Sequence, residues 1–393
     1  MTSVEEKNKK NNSKLKIGLA LSGGGYRAML FHYGSLIRLN EFGLLKKIDR
    51  ISSVSGGSII AAYLGMNWGD LSFDQNGVAT NFKEVIEPGI RKLAGTTIDV
   101  PSILCGLLLP FVSTSSCIER FYRKILFQDK TIKDIADSPE FVFNATNLHT
   151  GKLFRISKKG ARDWKTRNFS IEKVTLAQAV TASSAFPPFL SPFRFKGYAR
   201  TTLTGNTSSS KIKPEIIKLT DGGVYDNLGL ERIFNHCNTI LVSDAGLPFS
   251  EKKRIGINWF SQLLRIRSIH DNQVRSLRKR DLMDSFYGHV KMKKEGIDPD
   301  SWVTRNYGRE GAFWDISSTL DSYHTKDTPP APNQLAVDEA EVHFLSQVST
   351  RLCRMEQELQ DRLINWGYAA CDSSVRTFYL PAAPSPRPPK LLF

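Results

Sequence analysis

Three short stretches of the chain hold residues whose types and spacing could supply a nucleophile, a base and an anion site. They are Ser22-Gly23-Gly24-Gly25-Tyr26-Arg27-Ala28, Ser53-Val54-Ser55-Gly56-Gly57 and Thr220-Asp221-Gly222-Gly223. In the second, Ser55 stands at the centre of a G-x-S-x-G pattern whose first glycine position is taken by Ser53. A sharp strand-to-helix turn of this kind projects the serine hydroxyl into open space, and small neighbours let the turn close. Gly57 removes a side chain that would collide with the adjacent strand, and a helix starting at Gly56 aims its positive end at the reaction centre. The same residues also suit a tight turn with no chemistry in it, so the elbow needs a base.

A serine hydroxyl is a poor nucleophile until a base takes its proton. None of the seven histidines (His32, His149, His236, His270, His289, His324 and His343) sits in a motif resembling a triad member. The better candidate is Asp221, at a strand end before two glycines and so expected on the same edge of the sheet as the elbow. Burial in a lipid-lined cleft would raise its pKa enough to make it a base. Asp-Gly-Gly alone also fits an ordinary turn.

Glycines directly after a strand and before a helix expose backbone N–H groups at a positive helix N-terminus, which suits a phosphate or a transient oxyanion. Taken alone, the Ser22–Ala28 stretch fits a dinucleotide-binding turn, or glycines that merely permit close packing. A dinucleotide fold wants an acid near the end of the next strand. Here Asp49 precedes that strand, which ends instead in the serine elbow.

The elements that must position these groups alternate between strand and helix patterns, which predicts an α/β architecture. Residues 15–21 read as a buried parallel strand, 27–45 as a helix, 51–54 as a second strand running into the elbow, and Ile59–Leu64 as part of a small-residue helix. The stretch 68–130 lacks clear periodicity and reads as an insertion over one end of the sheet. Residues 141–145 and 152–156 form a hairpin around His149-Thr150-Gly151. Residues 176–184 read as a helix stopped by Pro187-Pro188. Thr201–Ser210 is a polar loop, 216–220 and 239–243 are strands, and 337–366 is helical. From Pro381 the chain holds five prolines in nine residues and reads as extended.

A formal net charge of +15 on 393 residues calls for an acidic partner or a basic surface kept for solubility. Residues 252–280 carry nine Lys/Arg among Trp259, Phe260, Leu263, Leu264 and Ile266, a mixture suited to anionic headgroups or to an ordinary solvated helix. With Ile103–Val112 as an apolar contact, peripheral binding to an anionic membrane is expected. No zinc-finger, RNA-recognition or helix-turn-helix signature points to nucleic acid. Five scattered cysteines and the polar N-terminus fit a reducing, cytoplasmic setting. No apolar run approaches the roughly 18–20 residues of a membrane span. No metal-ligand spacing occurs, and neither metal nor organic cofactor is expected.

In combination and order, Gly-Gly-Gly-x-Arg, the serine elbow about 30 residues on, Ala182-Ser183-Ser184-Ala185-Phe186-Pro187-Pro188-Phe189 and the late Asp-Gly-Gly resemble the patatin-like phospholipase family over residues 15–245. Ser53 and Ala28 stand where many relatives carry glycine. The resemblance implies a three-layer α/β/α sandwich with a mainly parallel sheet and a Ser–Asp dyad without histidine. It assigns Ser55 as nucleophile, Asp221 as base, and the Gly23, Gly24 and Gly25 backbone with Arg27 to an oxyanion hole. It implies hydrolysis of acyl esters in phospholipids or lysophospholipids. A partner-activated or silent scaffold, and acyl transfer through the same dyad, stay as alternatives, and the oligomeric state is open. The organisation expected is a leader (1–14), one hydrolase domain (15–370, its part after 245 basic and helical) and a Pro-rich tail (371–393).

Overall fold

The computed structural model describes residues 16–109, 112–198, 215–252, 254–298, 301–324, 330 and 333–386. The expected leader, the loop Thr201–Ser210, Lys253 and the end of the tail lie outside these residues, as do Pro110 and Phe111 of the apolar run. Nine strands are described: β1 (Ile17–Leu21), β2 (Arg50–Ser53), β3 (Glu140–Asn147), β4 (Lys152–Ser157), β5 (Gly160–Arg162), β6 (Phe193–Gly197), β7 (Glu215–Asp221), β8 (Thr239–Asp244) and β9 (Glu310–Asp315). The helices are α1 (Gly25–Glu41), α2 (Gly56–Met66), α3 (Phe82–Ala94), α4 (Asp99–Leu108), α5 (Thr114–Tyr122), α6 (Leu176–Ser184), α7 (Gly223–Asp226), α8 (Glu231–Phe234), α9 (Trp259–Lys294), α10 (Trp302–Tyr307), α11 (Glu339–Gln347) and α12 (Gln357–Phe378).

All strands join one sheet, in which β3-β2-β1-β8-β9 run parallel. Strands buried on both faces read as near-continuous apolar runs, and β1 and β8 do. Their alternate residues feed two cores: Leu19, Leu21, Leu241 and Trp314 pack into the larger, Ala20, Ile240, Val242 and Phe313 into the smaller with Ile233 of α8 and Leu282 of α9. The sheet thus lies between two helical layers, the expected α/β/α sandwich. Antiparallel β4 and β5 extend it beyond β3, and a β6–β7 pair joins β3 through β7.

Helix α1 is buried from Gly25 to Asn40, which its place between the sheet and α12 requires. The two helices touch backbone to backbone: a Cβ on Gly34 would lie 1.9 Å from Ile364 O, and one on Gly367 1.9 Å from Phe31 O. A buried Arg38–Asp372 ion pair (2.7 Å) ties them further, and removing one partner of such a pair costs about 3–5 kcal/mol.

Three sequence expectations are corrected. The boundary at residue 370 cuts through α12, whose residues Cys371–Arg376 are all buried, because this half of the helix packs on α1 and β9. The helical reading of 337–366 splits into α11 and α12, separated by an extended strap whose carbonyls lie on Gly25. The stretch 68–130 is helical (α3–α5): Pro88 sits inside α3, yet Phe82, Ile86, Ile90 and Leu93 keep one buried face.

Candidate active site

One residue, Val54, separates β2 from Ser55, which caps α2 with φ 50° and ψ −117°. A left-handed φ at a non-glycine residue costs roughly 1–3 kcal/mol and persists only when its surroundings impose it. The imposition is visible: a Cβ on Gly56 would lie 2.1 Å from Gly25 O, and one on Gly57 2.4 Å from Leu21 O. Ser53 fills the first elbow position by polar contacts a glycine could not make. Its hydroxyl donates to Val142 O (3.3 Å) and accepts from Ser58 Oγ (3.0 Å).

Asp221 lies at a strand end beside the elbow, and that strand is antiparallel: β7 runs against β3 and meets β2 head to head. β4 occupies one edge of β3, so β2 and β7 share the other. Ser53 closes β2 opposite Phe143, and Asp221 closes β7 opposite Ala145. The Asp221 carboxylate accepts the Gly223 N–H (2.6 Å), and the Ser55 side chain lies beside it. Burial pushes its pKa up to about 6, against the lowering effect of the Gly223 hydrogen bond, of Ser55 and of Arg267.

The glycine loop divides its roles. Gly23 N–H donates to Asn227 O (3.1 Å) and is not available to an oxyanion, which corrects its expected role; the residue is needed small, since a Cβ there would lie 2.4 Å from Asn227 Oδ1. Gly24 and Gly25 have φ 148° and 60°. Among the described residues their N–H groups donate to no protein acceptor, and they open the positive end of α1. Arg27 is fully buried, with Nη1 donating to Ser346 O (2.5 Å) and Val348 O (2.9 Å), and Nη2 to Ala245 O (2.7 Å). Its guanidinium pins the strap against the loop instead of facing the elbow, a second correction.

Ser55 is 9% exposed and Asp221 1%. Above them, Arg267 of α9 donates to Pro187 O (2.8 Å) and lies over the Phe186 ring. Among the described residues no histidine hydrogen-bonds either group; His32 is held between Ser243 Oγ and Ser22 O, and burial pushes its pKa down to about 4. No group of three or more metal-ligating side chains is found among the described residues. A cavity of about 1130 Å³ opens elsewhere, by β5 and β6. Ser183 and Asn227 form part of this site without having been singled out, Ser183 having as its signal its place in the quoted 182–189 stretch; Arg267 was read only as one of the basic residues of 252–280.

The sequence profile of the patatin-like phospholipase family matches residues 19–233, more than half of the 393-residue chain. A 45-residue segment is 51% identical to the putative meiotic phospholipase SPO1 of Saccharomyces cerevisiae, covering 12% of this chain and 7% of that protein. Among solved structures, human GIVD cytosolic phospholipase A2 aligns with TM-score 0.48 and 12% identity over 91% of this chain and 58% of that one. VipD from Legionella pneumophila aligns with TM-score 0.35 and 15% identity over 92% and 66%. The chain spans less than two thirds of the length of each of these proteins.

Proposed function

Because the chain belongs to the patatin-like phospholipase family, we propose that it hydrolyses carboxylic esters of phospholipids or lysophospholipids through Ser55 and Asp221. The observation that carries this reading is a strained elbow serine beside a buried carboxylate whose pKa is raised to about 6. A carboxylate with that pKa is still ionised at neutral pH and basic enough to take the serine proton.

In the proposed sequence, Ser55 Oγ attacks the ester carbonyl while its proton passes to Asp221. The Gly24 and Gly25 amides receive the oxyanion, each such donor contributing about 3 kcal/mol. The intermediate collapses, the alkoxide of the lysophospholipid or of the glycerophosphodiester leaves with the proton from Asp221, and an acyl-serine remains. Water, deprotonated by Asp221, repeats the attack and releases the fatty acid. Gly23 and Arg27 act by holding the loop, through Asn227 O and the carbonyls of Ser346, Val348 and Ala245.

Two exposed apolar elements flank this site and support docking on a lipid surface. On α4, Leu107 and Leu108 are each 76% exposed; the helix is anchored beside the glycine loop through Asp99–Arg351, the Arg351 carbonyl accepting Tyr26 N–H. The start of α9 exposes Trp259, Leu263 and Ile266 among basic residues, while Arg275–Asp244 and Lys279–Asp315 ion pairs hold the helix on the sheet edge. No described helix is long and apolar enough to cross a membrane. The test is fatty-acid release from vesicles of diacyl phosphatidylcholine with phosphatidylserine, beside the diether analogues. Release from the diacyl lipids alone is expected; release from neither, with a folded protein, contradicts the substrate assignment.

A further inference from the structure

Strands β2 and β7 meet end to end along β3, so no ladder hydrogen bond between them fixes the distance from Ser55 to Asp221. One residue spans the gap. The Ser183 hydroxyl accepts the backbone N–H of Ser55 (3.0 Å), while the Ser183 carbonyl accepts the N–H of Gly222 (3.2 Å), the residue after the base. We infer that Ser183 is the positioning residue that sets nucleophile and base at their working separation. The inference rests on the Ser55–Asp221 reading.

The side chain is itself fixed on every side. Its hydroxyl donates to Asn144 O on β3 (2.7 Å), and Ser58 Oγ lies 2.8 Å away, itself donating to Ser53 Oγ (3.0 Å). Two residues on, Ala185 O accepts the Asp221 N–H (3.0 Å) and the Thr220 hydroxyl (2.9 Å). The end of α6 thus grips the last residues of β7 by backbone and the elbow by one side chain. Ser55 needs such a partner because its amide lies beyond the β2–β3 ladder, which stops at Ser53, and a buried N–H must find an acceptor. This gives a chemical role to the Ala182–Phe189 stretch, whose sequence pattern alone assigned none. Alanine at 183 leaves that N–H without its acceptor and lets the elbow drift, and misplacement of about an ångström suffices for a large rate loss.

The test uses a water-soluble p-nitrophenyl ester, so that surface binding plays no part. Wild type, Ser55→Ala, Ser183→Ala, Ser183→Cys and Ser374→Ala are compared for kcat, KM, pH profile and Tm. Ser374 is an equally buried serine that donates to Phe313 O (2.8 Å) far along α12, and serves as the structural control. Ser183→Ala is expected to lower kcat at least about tenfold with KM within about twofold. Its acid limb should move to higher pH, because Ser55, which lowers the Asp221 pKa, is displaced. Ser183→Cys keeps the volume but offers a poor acceptor, and should show the same loss if the alanine variant does not fold. Ser374→Ala should change Tm alone. Full kcat in a folded Ser183 variant, or equal losses in Ser183→Ala and Ser374→Ala with the acid limb unmoved, overturns the inference. Hydrolysis that survives Ser55→Ala overturns the dyad reading instead.

Discussion

Ser55, two residues past the end of β2, and Asp221, the last residue of β7, are brought together because these strands run toward each other along one edge of β3 and end two register positions apart, opposite Phe143 and Ala145. This head-to-head arrangement brings the elbow serine beside a carboxylate, with no histidine hydrogen-bonded to either among the described residues. It also explains why Asp221 is buried: the carboxylate lies at the junction of two strands, under α9, and not on an open sheet edge.

The pH dependence of the reaction follows from that burial. Asp221 accepts a proton only when ionised, and its carboxyl is pushed up to about 6. Hydrolysis of a soluble ester is therefore expected to rise with unit slope through about pH 6 and level off above it. A profile already flat at pH 4.5 contradicts Asp221 as the base.

The same shift has an opposite consequence for stability. A carboxyl whose folded pKa lies above its unfolded value favours the folded state most below the unfolded pKa, and that contribution is lost as pH rises through about 6. Asp221→Asn removes the buried charge while keeping an oxygen for the Gly223 N–H. It should raise stability at pH 7.5 by up to about 3 kcal/mol and abolish activity. Thermal melts at pH 7.5 and pH 4 check this: the gain should shrink at the lower pH.

Surface binding should separate from chemistry. Leu107→Asp with Leu108→Asp, or Trp259→Asp, places charge on side chains that are exposed already, where substitutions usually shift stability by less than about 0.5 kcal/mol. Co-sedimentation with phosphatidylserine-containing vesicles should fall severalfold while soluble-ester hydrolysis stays within about twofold. Unchanged sedimentation removes these helices from the docking face.

Much of this was legible in the sequence because the chemistry is local. A glycine-rich turn, a serine elbow and an Asp-Gly-Gly each occupy a few consecutive residues, and β1, β2, β7 and β8 follow from short apolar runs. What escaped was set by tertiary packing. Gly23 and Arg27 belong to the expected motif, but only the fold brings Asn227 O and the carbonyls of Ser346, Val348 and Ala245 to them. The direction of β7 depends on its pairing with β3, which no local pattern encodes. The C-terminal boundary was misplaced for the same reason: Gly367, Cys371 and Asp372 look unremarkable until α12 lies against α1.

That correction carries its own test. A chain ended at residue 370 loses the buried Cys371–Arg376 segment and the Arg38–Asp372 pair, leaving Arg38 buried without that partner. It should fail to give a cooperative melt, whereas a chain ended at Pro386 should melt like the 393-residue chain. A stable, active 1–370 fragment contradicts the assignment of this helix to the core.

The central claim is tested most directly by fatty-acid release from phosphatidylcholine–phosphatidylserine vesicles by wild type, Ser55→Ala and Asp221→Asn, each shown folded by its melt. The account predicts release by wild type and a loss of at least about a thousandfold in both variants. Release that persists in folded Ser55→Ala would contradict it.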